Sequence, residues 1–142
     1  TFYRHFPSKS LLILAYLNYR HEIWINWFET TLRRHLDEGE IPADAISATL
    51  YEWFISPEFH GCAFINASAE AKSEDIENEI KEICRSHKSE TKKIIAEEIL
   101  NRMNDQGAAD VLRDILSNND NKIDWDKAFE SIQKHMPELK MF

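Results

Sequence analysis

The stretch Thr1-Phe2-Tyr3-Arg4-His5-Phe6-Pro7-Ser8-Lys9 reads as helix, stop, helix. Phe2 and Phe6 stand four apart and share one helix face, with Arg4 and His5 pointing elsewhere. Pro7 halts the first helix, because its ring removes a backbone donor and pushes the preceding residue out of helical geometry. Ser8 is placed to cap a second helix, its hydroxyl accepting from an amide that has no partner within the helix. From Lys9 an apolar stripe runs through Ile13, Leu17, Trp24, Phe28, Leu32 and Leu36. The second helix is therefore long, and it ends near Gly39.

The same spacing continues outward along the chain. Pro42 suits the first turn of the next helix, which carries Ile46, Leu50, Trp53 and Phe54 and stops at Ser56-Pro57. His60 to Glu70 is rich in small and apolar residues with little charge, which predicts a buried central helix. Ser73 with Glu74 and Asp75 makes a good start for a helix of roughly 30 residues. That helix bears Ile76, Ile80, Ile83, Cys84, His87, Ile94, Ile95, Ile99 and Met103, with Gly107 as its stop. A shorter helix holds Val111, Leu112, Ile115 and Leu116, and residues 117–121 form a polar loop. Asp124 caps a last helix with Trp125, Phe129, Ile132 and Met136, closed by Pro137. No segment sustains the period-two alternation of a strand, so the fold class is all-α.

Charge divides the chain unevenly. The net charge is -8 over 142 residues, yet residues 1–35 hold five Arg/Lys against two Glu, while residues 36–142 hold twelve Lys/Arg against twenty-three Asp/Glu. A nucleic acid is repelled by such a body and tolerated only at the N-terminal end. No apolar run approaches the ~18 residues that cross a membrane, and no basic leader with a cleavage site appears. Two cysteines are too few for a disulfide framework, which fits a reducing cytoplasm.

The opening motif resembles the end of the DNA-reading helix in the TetR family of bacterial transcriptional regulators, through Thr1, Tyr3, His5, Phe6, Ser8 and Lys9. A second segment, Gly61-Cys62-Ala63-Phe64-Ile65-Asn66-Ala67 followed by Glu70, is similar to the G-C-x-x-x-N-x-x-x-E segment in the regulatory domain of one TetR subgroup. The resemblance implies a TetR-like helical regulatory domain over 9–142, for ligand binding and dimerisation. Residues 1–8 would end a helix-turn-helix head whose base-reading part precedes Thr1. It matches Thr1, Tyr3, His5 and Lys9 to positions that touch operator DNA, with Phe2 and Phe6 packing the head. Chemically, the Tyr3 hydroxyl, the His5 imidazole and the Lys9 ammonium suit phosphate oxygens. The 142-residue chain alone is expected not to bind DNA specifically, since recognition needs a whole helix in the major groove.

A regulator of this type is a two-state device, so its body should hold an apolar pocket with a few polar groups. The candidate lining is Trp24, Trp27, Phe28, Tyr51, Phe54, Phe59, Phe64, Asn66 and His87, suited to an apolar or aromatic effector. The same aromatics at helical spacing also serve as plain core. His60, Cys62, Cys84 and His87 offer four nitrogen and sulfur ligands for zinc, but a chain with this much apolar core has no need of a structural ion. No metal and no cofactor is expected, and Cys62 reads as a buried, inert thiol. There is no nucleophile motif, phosphate-binding glycine loop or HExxH, so no enzyme is expected. The expected partners are operator DNA, a small effector and a second copy of the chain; the resemblance implies a dimer through the last two helices, here 107–118 and 124–136, which look short, and Val111 and Ile115 serve equally as core. The competing reading is a helical ligand-binding or protein-interaction dimer with no DNA role.

Overall fold

The computed structural model describes residues 2–71, 76–117 and 123–135. Among these, every element is helical: α1 (Phe2–His5), α2 (Lys9–Asp37), α3 (Pro42–Phe54), α4 (Ala63–Glu70), α5 (Glu77–Leu100), α6 (Gln106–Leu116) and α7 (Trp125–His135). No helix among the described residues is long and apolar enough to cross a membrane.

Local chemistry sets the boundaries. Ser8 caps α2, its Oγ accepting from the Leu11 amide at 3.2 Å. At the other end Gly39, at φ +92, turns the chain through a conformation that side chains disfavour, and its amide donates to the Leu36 carbonyl. Pro42 opens α3, where its missing N–H costs nothing. Asp124 caps α7 by accepting from the Lys127 amide at 3.1 Å.

Two expectations are corrected. The helix expected to run to Gly107 ends at Leu100, and Gly107 lies in the first turn of α6, whose cap is Asp105. The Asp105 carboxylate accepts from the Ala108 amide at 3.1 Å, and this bond decides where the new helix starts. The segment from His60 to Glu70 is not a buried central helix either. Helix α4 begins at Ala63, and only Phe64 within it is buried, because its small side chains border a groove. The expected helix start at Ser73 to Asp75 and the stop at Pro137 lie outside the described residues.

Helix α2 is the spine. It packs on α3, α4 and α5; α5 also meets α4 and α6, and α6 pairs with α7. Three apolar clusters follow along the molecule. Leu17, Phe64, Ile80 and Cys84 join α2, α4 and α5. Ile25, Phe28, Leu32, Leu36, Ala45 and Ile94 join α2, α3 and α5. Ala96, Ile99, Leu112, Leu116, Ala128 and Ile132 join α5, α6 and α7, with Met103 and Ile115 against them. The apolar faces of α6 and α7 are thus largely spent within one chain, leaving Val111 exposed.

Candidate functional site: a groove between α2 and α4

Among the described residues, two depressions run between helices, apart from a more open one of about 430 Å³ at Thr30, Arg33, Arg34, Asp37 and Glu38. The larger, about 590 Å³, runs along α5 under a fringe of paired charges that includes Glu82, Arg85, Glu90, Lys93 and Glu97. The other, about 440 Å³, lies between the first half of α2, the α3–α4 connection and α4. Lys9, Ile13, Tyr16, Leu17 and Arg20 enter it from α2, as their helical spacing requires. Glu58, His60 and Gly61 come from the connection, Ala63, Asn66, Ala67, Glu70 and Ala71 from α4 and its end, and Ile80 from α5. Its floor is apolar, with Leu17, Ala71 and Ile80 buried. Its rim is charged and polar, with Lys9, Tyr16, Glu58, Asn66 and Glu70 exposed.

The local sequence explains this wall. Gly61 sits at φ +86, and a Cβ there would come within 3.3 Å of Asn66 Nδ2. The Asn66 amide donates to the His60 carbonyl at 3.4 Å, folding the side chain back over the glycine. Gly61 and Asn66 are therefore a local pair that shapes the α4 entry. Glu70, one turn beyond Asn66, faces the same groove.

Of the nine expected effector contacts, the groove takes only Asn66. Six of the others pack on one another. Trp24 stacks on Phe28 (centroids 4.7 Å) and meets Trp53 and His87 edge-on at 5.5 and 5.0 Å. His87 stacks on Phe64 at 3.7 Å. Trp53 carries the cluster on to Phe54 and Phe59 at 5.4 and 5.1 Å. Phe28 is 1% exposed and belongs to the core. Trp27 is half-buried against the same core, while Tyr51 and Phe54 are largely open to solvent.

His87 has a partner that sequence reasoning missed. Its Nδ1 lies 2.9 Å from Nδ1 of His21, whose Nε2 is 2.7 Å from a Glu90 carboxylate oxygen. Burial, then the neighbouring His21 and Lys88 charges, push the His87 imidazole down to about 4. One tautomer arrangement satisfies both contacts: His21 donates from Nε2 to Glu90, and His87 donates from Nδ1 to His21 Nδ1. With His87 covered by the rings of Phe64 and Trp24, this chain positions side chains between α2 and α5.

The four weighed zinc ligands do not converge among the described residues. Cys84 donates from Sγ to the Phe64 carbonyl at 3.2 Å, and burial pushes its thiol up. Cys62 is half-buried at the start of α4. At the N-terminal end, Thr1 lies outside the described residues, as does the side chain of Tyr3; His5 and Lys9 are exposed.

Tyr16, Arg20 and Glu70 are groove residues that sequence reasoning did not select. Spacing from Lys9 and from Asn66 is the signal that finds them. Comparisons with protein-family models, with curated proteins and with solved structures find no match to this chain.

Proposed function

We propose that this chain is the sensing body of a ligand-responsive transcriptional repressor of the TetR type, which holds operator DNA as a homodimer and releases it when a small effector binds. One observation carries the reading. Lys9 lines the groove and is also the first residue of α2, directly after the turn that ends α1. A molecule entering between α2 and α4 therefore presses on the helix that leads into the DNA-contacting motif. An effector that fits only one position of α2 shifts the population toward it.

The groove also revises the effector class. An apolar floor under a rim of Lys9, Arg20, Glu58 and Glu70 suits an amphipathic molecule better than a plain aromatic one. The test uses the full-length protein, with fluorescence anisotropy on the DNA upstream of its own gene. Ala67→Trp fills the groove and is expected to weaken operator binding, or to abolish its response to effector, by tenfold or more. Tyr51→Ala, on the exposed side of α3, is expected to change neither. Operator affinity indifferent to groove filling and to every bound ligand would reject the coupling.

A further inference from the structure

A second site lies at the far end of α2, remote in sequence from the groove. His35 occupies the last turn of α2 and is 7% exposed. Its Nδ1 is 2.8 Å from Glu40 Oε1, and its Nε2 is 2.8 Å from Glu52 Oε1. Glu52 is itself gripped by Arg34, Nη2 to Oε1 at 2.6 Å. The turn at Gly39 brings Glu38 and Glu40 to the same end of the ring, and one ligand atom each from His35, Glu38 and Glu40 lie within 4.8 Å of one another. We propose that His35 Nδ1, Glu38 and Glu40 form a binding site for one divalent first-row transition-metal ion, of the zinc class, with Glu52 orienting the imidazole from behind.

Three features argue for it. The first is ligand chemistry: one imidazole with carboxylates suits zinc, cobalt or nickel, and the ring nitrogen disfavours calcium and magnesium. The second is the support behind the ligand. A metal-binding histidine characteristically donates its other ring N–H to a carboxylate, and Glu52, on a different helix and fixed by Arg34, stands at that place. The third is charge. Glu38, Glu40 and Glu52 face the guanidinium of Arg34, which leaves two negative charges to be balanced at the imidazole. A divalent ion matches that balance, whereas a proton on the ring cancels only half of it. Metal–ligand bonds of about 2.0–2.2 Å need the three atoms to draw together slightly. Glu38, exposed on a flexible stem, supplies that movement. The open side of the site leaves room for water to complete the coordination shell.

The experiment titrates cobalt(II), then zinc(II), into the chelator-stripped protein, reading visible absorption and thermal shift. One equivalent is expected to bind with the d–d bands of a nitrogen- and oxygen-ligated cobalt ion, and zinc is expected to displace it. His35→Gln should abolish the bands. Glu40→Gln, at a half-exposed position that does not threaten folding, should weaken binding at least tenfold, and Glu52→Gln by about 10–100-fold as an orienting residue. Glu29→Gln, elsewhere on α2, should change nothing. No stoichiometric binding, or binding that survives both His35→Gln and Glu40→Gln, overturns the proposal.

Discussion

At the scale of the residue, His87 is the most revealing position. Taken alone it is a histidine on an apolar helix face, equally suited to a pocket or a core. Its role comes from His21, 66 residues away, which bonds it through Nδ1 and is itself held by Glu90 from the next turn of α5. No spacing rule links His21 to His87, because their helices cross only in the folded chain. The pH consequence has a definite sign. The unfolded imidazole titrates near 6.5, the folded one at about 4. Between those values the unfolded chain binds the proton and the folded chain does not. Stability is therefore complete above the upper value and falls as pH drops through the window. The expected slope is no more than about 1.4 kcal/mol per pH unit for this single proton. Urea unfolding of wild type and His87→Gln between pH 7 and pH 4 checks it: the substitution should flatten the slope, and an equally steep variant would place its origin elsewhere.

At the scale of the element, boundaries were legible where a side chain or Gly39 closes them and obscure at Gly107. Ser8, Pro42 and Asp124 all act as their chemistry requires. Gly107 misleads because glycine both follows helices and tolerates their first turns. Asp105 is the true signal, with its carboxylate on the Ala108 amide. The two residues make opposite predictions. Asp105→Ala should cost about 1 kcal/mol by removing the cap. Gly107→Ala should stabilise by about 0.4–1 kcal/mol, since an added Cβ meets nothing closer than 3.4 Å and lowers the entropy of the unfolded chain. Denaturant midpoints of the two variants moving in the same direction would contradict this boundary. The buried Glu98 is another relation between elements. It accepts from Arg33 of α2 and, one turn along, from Arg102, which also binds Asp37. Arg102→Ala should cost about 1–3 kcal/mol, because it leaves a buried carboxylate short of donors; thermal unfolding measures it.

At the scale of the whole molecule, the all-helical class followed from periodicity alone, since each helix carries its own apolar stripe. The groove did not, because its wall is assembled from four segments and its residues are ordinary individually. Aromatic content did not point to the groove: large rings fill space, and in this fold Trp24, Phe28, Phe64 and His87 fill it with one another. The α6–α7 pair closes the third apolar cluster around Leu112, which is 0% exposed. Leu112→Ala is expected to cost about 2–5 kcal/mol by transfer and cavity terms together. Calorimetry should show that loss as a lower melting temperature of the whole chain.

Burial along α2 is lopsided. Of its buried residues, only Leu17 lies in the first half, while Ile25, Phe28, Thr31, Leu32, His35 and Leu36 crowd the second. At 1.5 Å per residue, 29 residues make a rod of roughly 43 Å. Mechanically this is a beam set in masonry at one end and only lightly propped toward its tip. A load near the tip deflects the tip most and leaves the set end still. Hydrogen exchange should trace that bending profile, with amides at 12–16 opening far sooner than those at 28–36.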